Sequence, residues 1–328
     1  MAHSYSYDAR NRLTNLAASG TVAGAPGPIA SYAYTLDASG HRLSVAELSG
    51  RTVSYGYDNL YRLTSETIAS DPNAVNGAVS YGYDPMGNRL QKTSTLPGMP
   101  GITSSYNAND QLATDTYDND GNTTASAGKG YAYDFENHLV QQAGITIVYD
   151  ADGNRVVKTT ANGTTKFLVD TLNPTGYAQV MDELQSGIVA RTYTWGLELI
   201  SEDQSINSTP TTSYYVFDGH GSVRALTNAA GAVSDTYDYD AFGILLHSTG
   251  TTPNVYLWRG TAAHSFVMSA VYTLLIIRAP ISSHVPVSMF LAELALSLHE
   301  SLKWSEVTRS ASRPGVATWQ TRIISISR

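Results

Sequence analysis

Tyr81-Gly82-Tyr83-Asp84-Pro85-Met86-Gly87-Asn88-Arg89-Leu90 is the fullest copy of a phrase that recurs through the first half of the chain, with weaker or partial copies starting at Tyr5, Tyr32, Tyr55, Tyr106, Tyr117, Tyr131 and Tyr149. Such recurrence is the signature of an array. In a strand, side chains two apart share a face, so Tyr81 and Tyr83 make one aromatic stripe. Asp84 can hydrogen-bond the backbone two residues on, Pro85 presets a turn dihedral, and Gly87-Asn88 tolerate positive φ; the chain reverses and Arg89-Leu90 begin the returning strand. Each phrase thus predicts one hairpin. A lone hairpin is marginal in water, so its tyrosine face is expected to be buried by neighbouring hairpins.

The predicted class is all-β: a curled antiparallel sheet of such hairpins, a partial shell. The residues expected to carry it are Tyr5, Tyr7, Tyr32, Tyr34, Tyr55, Tyr57, Tyr81, Tyr83, Asp84, Gly87, Arg89, Tyr131, Tyr133 and Tyr149, with Tyr237 and Tyr239 in a late copy. Composition agrees: 22 Tyr against 6 Phe and 4 Trp, with 27 Gly, match strands and turns rather than helices. Charged residues are 15% of the 328, with a formal net charge of -8. No basic stripe offers a nucleic-acid track, so no nucleic-acid partner is expected. Without cysteine, disulfides, thiolate metal sites and a cysteine nucleophile are excluded. The start Met1-Ala2-His3-Ser4-Tyr5 shows no signal-peptide pattern. Because the chain opens almost inside a repeat, an upstream array is expected to have been cut away, leaving an open sheet edge.

Three regions are expected. Residues 1–164 form the repeat array, with Gly- and Pro-rich loops at Gly20 to Pro28, Asp71 to Gly77 and Leu96 to Gly101. Residues 165–260 continue the sheet through strand-like stretches such as Lys166 to Asp170, Arg191 to Trp195 and Ser213 to Phe217. Residues 261–328 form a divergent tail.

In the middle region, Tyr214-Tyr215-Val216-Phe217-Asp218-Gly219-His220-Gly221-Ser222-Val223-Arg224-Ala225-Leu226-Thr227 and Tyr237-Asp238-Tyr239-Asp240-Ala241-Phe242-Gly243, together with the repeats, resemble the Rhs/YD-repeat family, relatives of bacterial toxin-complex shells and of the teneurin YD shell. The second region resembles the start of that family's Rhs-associated core. The resemblance implies a β-shell around a hollow interior holding a C-terminal, often toxic, polypeptide. It stops after Leu257-Trp258-Arg259-Gly260; the aromatic-rich strings that the family pattern carries next are absent between Thr261 and Arg328. The expectation is that the coding frame shifts near residue 260. The tail is expected to be poorly ordered or partly helical: Val287 to Trp304 has amphipathic spacing, the apolar run Val271 to Ile277 is too short to span a bilayer, and Arg309 to Arg328 is rich in Ser and Arg.

Candidate chemistry is sparse. The self-cleavage ascribed to the family belongs to aspartates at the missing end of the core, so no autoproteolysis is expected. Asp238 and Asp240 share a strand face at a spacing that could couple two carboxylates, but read more simply as turn and strand-end caps, as does Asp218. Asp118 to Asn122 and Asp150 to Asn154 look like the start of a calcium loop and lack its later ligands. Asp218, His220 and Ser222 bring an acid, an imidazole and a hydroxyl into one short turn, whereas hydrolytic triads are assembled from distant segments. Arg12, Arg62, Arg89 and Arg155 sit at hairpin exits, placed to pair with turn aspartates or to stack on tyrosines. No catalytic, metal or cofactor site is assigned.

The functional expectation is a non-enzymatic scaffold fragment that encapsulates and delivers a C-terminal toxin in bacterial competition, with the toxin cargo or a secretion-system component as partner. The resemblance places it at the cell surface or outside the cell through a dedicated secretion system. The alternatives are a surface adhesion or carbohydrate-binding module, an active enzyme (a self-cleaving aspartyl protease core or a toxin housed in residues 261–328) and a decayed remnant.

Overall fold

In the computed structural model the described residues are 1–22, 25–206 and 209–258; the expected frame shift and tail helix lie outside them. Among them there are twenty-three strands and no α-helix, as the all-β reading requires.

Nine strands form the first sheet: β1 (Ala2–Tyr7), β2 (Leu13–Val22), β3 (Ala25–Leu36), β4 (Arg42–Glu47), β5 (Thr52–Tyr57), β6 (Leu63–Ala69), β7 (Gly77–Tyr83), β8 (Arg89–Ser94) and β9 (Ile102–Thr103). Fourteen form the second: β10 (Thr116–Tyr117), β11 (Thr123–Ser126), β12 (Lys129–Tyr133), β13 (Leu139–Gln142), β14 (Ile145–Tyr149), β15 (Arg155–Thr160), β16 (Gly163–Asp170), β17 (Gln179–Gln185), β18 (Ile188–Trp195), β19 (Leu199–Ile206), β20 (Thr209–Phe217), β21 (Val223–Thr227), β22 (Val233–Tyr239) and β23 (Leu245–Thr249). Each strand pairs with its neighbours in sequence, so both sheets are unbroken meanders. Neither sheet closes into a barrel. They part between β9 and β10, where Tyr106 and Leu112 make an isolated bridge.

One turn chemistry drives the meander. In the Asp84 turn the Asp84 amide donates to the Asn88 carbonyl (3.0 Å) and the Gly87 amide returns to the Asp84 carbonyl (3.1 Å). Gly87 has φ 98°, and the ladder register shifts between Gly82 and Tyr83. A turn closed by a left-handed residue and a bulge increases strand twist. The same pair of backbone bonds recurs at Asp8, Asp37, Asp58, Asp118, Asp134, Asp150, Asp218 and Asp240. The carboxylate locks the loop from within: Asp58 Oδ1 accepts the Leu60 and Arg62 amides at 2.9 Å each. Desolvation opposes ionisation of Asp58, but the hydrogen bonds from Arg62 outweigh it and hold the carboxyl below its ordinary value.

The two tyrosines of a phrase do different work. The ring directly before the turn reaches back one hairpin: Tyr57 Oη donates to the Arg42 carbonyl (2.9 Å), Tyr83 to Leu63 (2.7 Å) and Tyr149 to Leu139 (3.1 Å). The earlier ring faces inward, so that Tyr32, Tyr34 and Tyr81 join Leu16, Val45, Val53, Ile68 and Val79 in a core that also takes in Val216 and Ala225 of the second sheet. β20 is buried on both faces. Val216 joins that core, whereas Tyr215 and Phe217 join a second one with Tyr193, Leu226, Tyr237, Tyr239 and Tyr256. The segment Pro253 to Trp258 covers that outer face and is tied down where the Val223 amide donates to the Leu257 carbonyl (2.8 Å).

Candidate functional site: the seam between the sheets

The first sheet meets β20 to β23 along a seam of buried charge. At its centre is Arg224 of β21. Its Nη2 lies 3.0 Å from Glu47 Oε2 and 2.7 Å from Asp238 Oδ1, its Nη1 is 3.5 Å from Asp218 Oδ2, and its Nε donates to the Tyr237 carbonyl (2.8 Å). The guanidinium also lies over the Tyr32 ring. Burial alone would lower its pKa; Tyr32, Glu47, Asp218 and Asp238 more than reverse this, so Arg224 is held firmly charged.

Glu47 extends the network to Arg51, whose Nη1 is 2.6 Å away; Arg51 Nε lies 2.9 Å from Asp71 Oδ2 as an ion pair without hydrogen-bond alignment. Two guanidinium groups thus sit among four carboxylates. A charge removed from such a place leaves its partners uncompensated in low dielectric, so any arrangement of the two sheets that separates these groups is disfavoured. Gly219 lets the backbone lie close against the first sheet: its amide donates to Tyr34 Oη at 2.7 Å, and a Cβ there would lie 2.8 Å from both Leu13 Cδ2 and Tyr34 Oη.

A second buried network fastens the Pro253 to Trp258 segment. Arg191 Nη2 donates to Gln204 Oε1 (2.9 Å) and to the Pro253 carbonyl (3.0 Å), Tyr193 Oη donates to Glu183 Oε1 (2.8 Å), and Arg191 Nε is 3.4 Å from Glu202 Oε2. Desolvation raises Glu202 to about 7 despite the neighbouring Arg191.

The structure places the expected site residues as follows. Tyr5 and Tyr7 lie on the edge strand β1, 47% and 55% exposed. Tyr55 is partly buried against the first core, Tyr131 and Tyr133 are half-buried on β12, and Tyr237 and Tyr239 lie in the second core. Asp238 and Asp240 part company: Asp238 turns to Arg224, Asp240 to the region of Glu66 and Lys92. Asp218 Oδ1 accepts the His220 and Ser222 amides (2.9 and 3.1 Å) and its Oδ2 faces Arg224; His220 Nδ1 is 3.4 Å from Ser222 Oγ. The Asp118 and Asp150 carboxylates likewise bond the amides of their own turns.

The hairpin-exit arginines fall into two sets. Arg12 and Arg62, on the fifth turn residue, pair with Asp8 and Asp58 (2.7 Å each) and donate across to the next turn, at the Asp37 and Asp84 carbonyls (2.7 Å each). Arg89 and Arg155, one residue later, stack over Phe242 and Phe167. Among the described residues, Asp134, Glu136 and His138 hold ligand atoms within 4.8 Å of one another. They are themselves a turn of the array: Asp134 Oδ1 accepts both amides, and the His138 ring stacks on Tyr149. No helix among the described residues is long and apolar enough to cross a membrane. Sequence reasoning missed Glu47, Arg51, Glu66, Lys92 and Glu202; isolated charges within strand-like stretches were the only available signal.

No family model matches the chain. Two curated proteins do: the tRNA3(Ser)-specific nuclease WapA of Bacillus spizizenii, 29% identical over 205 residues, and the tRNA nuclease WapA of Bacillus subtilis, 30% identical over 203. Each match covers 57% of this chain and 8% of the relative. Among solved structures, the TcdB2–TccC3 crystal structure superposes with a TM-score of 0.61 at 16% identity, over 79% of this chain and 16% of that one. A Tc holotoxin pore of Photorhabdus luminescens with a mutated TccC3 gives 0.59 at 16% identity, over 76% and 15%. The chain therefore spans a small fraction of the length of these proteins. The repeat-family resemblance expected from the sequence is borne out. The expectation that the chain is not an enzyme is overturned, because both curated relatives are named as nucleases. A structural reading of turns and strands carries no information against an activity borne by the same polypeptide.

Proposed function

We propose that this Rhs/YD-repeat chain is a section of the wall of a toxin-associated β-shell, and that the wall holds a toxin polypeptide for delivery in bacterial competition. The observation that carries this reading is the repeat-to-repeat lattice: turn aspartates, fifth-position arginines and back-reaching tyrosines tie each hairpin to the next, and a buried ionic seam binds the array to β20 to β23. A lattice of this kind propagates by addition of units, as a wall must. The test is limited proteolysis of the longer protein that contains this wall and a C-terminal polypeptide. Protection of that polypeptide until the wall itself is cut supports enclosure; cleavage at the rate of the free polypeptide contradicts it.

For the activity of the whole protein, the relatives' names support tRNA cleavage. Incubation of that longer protein with total tRNA tests this, with cleaved tRNA expected and intact tRNA overturning it. A second reading, carbohydrate binding, is favoured by one observation: a cleft of about 170 Å³ lined by His3, Tyr5, Tyr7, Leu13, Glu198 and Phe217 among others. Aromatic rings beside a carboxylate suit sugars, and an absence of glycan-array binding by the chain would eliminate this reading.

A further inference from the structure

We propose that Glu66 and Asp240 form a proton-operated latch between the two sheets, in which a neutral acid keeps the β22–β23 turn seated on the first sheet and loss of the proton releases it. The proposal concerns the joint itself and stands whatever the wall encloses.

The turn Asp240 to Gly243 enters the first sheet as a plug. Phe242 packs edge-on against Tyr81 of β7 (4.9 Å between centroids), and Arg89 of β8 lies 4.6 Å from the same ring. Beside the ring, Glu66 Oε2 of β6 accepts the Ala241 amide at 2.9 Å. Glu66 and Asp240 are 1% and 2% exposed, so neither is reached by solvent. Asp240 Oδ1 is occupied by the Phe242 and Ile244 amides (3.0 and 2.7 Å), whereas Asp240 Oδ2 and Tyr81 Oη are buried with no hydrogen-bond partner.

The charged and titratable groups around Glu66 come from every element packed there: Arg51 just before β5 and Tyr55 within it, Tyr81 of β7, Arg89 and Lys92 of β8, and Asp240 itself. Lys92 and Arg89, the latter still charged over the rings, both bear on Asp240. The cation that bears on Glu66 is Arg51, already shared by Glu47 and Asp71. Glu66 thus has no cation of its own in a dry site, which favours its neutral form.

Burial, reinforced by Asp240, raises Glu66 to about 8, and burial raises Asp240 as well. The native state thus keeps a proton that the unfolded chain gives up in the ordinary carboxylate range. Between that range and about pH 8 the folded form binds more protons, so stability falls as pH rises and the loss is complete above about 8.

The experiment compares the full chain with Glu66→Gln, which keeps the shape and removes the ionisation. Thermal midpoints are measured from pH 6 to 9, with amide exchange read on the peptide spanning Tyr239 to Leu245 after correction for intrinsic rates. In the wild type, exchange of that peptide rises by roughly tenfold or more over this interval, and the midpoint falls; in Glu66→Gln the exchange of that peptide changes much less and the midpoint falls less steeply. Glu202 titrates in the same interval, so the difference between the two proteins is the readout. Parallel curves overturn the latch. Should Glu66→Gln not fold, a carboxyl NMR titration of the wild type decides: a Glu66 midpoint well above the ordinary carboxylate range supports the proposal, and one within it overturns it.

Discussion

The fourth residue of each turn carries the conformational demand of the whole array. At Gly87 a Cβ would meet nothing within 4 Å, so Gly87→Ala isolates the backbone cost of φ 98°. It should lower stability by about 1 kcal/mol in denaturant unfolding, with the midpoint shifted and the slope unchanged. A complementary test separates the tyrosines. Tyr83→Phe removes the hydroxyl that donates to Leu63 and should cost about 1 kcal/mol. Tyr7→Phe, on the exposed edge strand, should stay within about 0.5 kcal/mol. Equal losses at the two positions would show that the back-reaching hydroxyl does not hold the hairpins together.

At the scale of elements, the hairpins were legible because their chemistry is local. Asp84, Gly87 and Asn88 act within five residues, and the alternation of Tyr81 and Tyr83 states which face turns inward. The back-reaching role of Tyr83 was not legible, since a ring one pleat from another looks identical in sequence whether it fills a core or bonds a neighbour's carbonyl. The Pro253 to Trp258 segment was also hidden: it forms no strand, and only Arg191, reaching its carbonyl at Pro253, reveals what it covers. Arg191→Met should cost about 3–5 kcal/mol by leaving Glu183 and Glu202 buried without their cation. Because the raised Glu202 would then rise further, that loss should shrink as pH is lowered from 8 to 5, which parallel unfolding curves at the two pH values would measure.

At the scale of the molecule, the proposed function depends on whether the two sheets behave as one wall. The seam that joins them lies between residues far apart in sequence: Arg224 meets Glu47 across 177 positions, and the Ala241 amide meets Glu66 across 175. No periodicity or turn preference encodes such a meeting, so the sequence reading reached the repeat unit and the family resemblance but not the charged joint. The relatives' nuclease names show the other boundary of that reading, since an activity need not register in the hairpins of a wall. The most direct test is a double-mutant cycle on Glu47→Gln and Arg224→Met by equilibrium unfolding. A single wall predicts that the two losses are strongly non-additive, with a coupling of about 1.5 kcal/mol or more. Losses that add to within about 0.5 kcal/mol would mean that the two sheets are not joined through this pair, and the account of a continuous wall would fail.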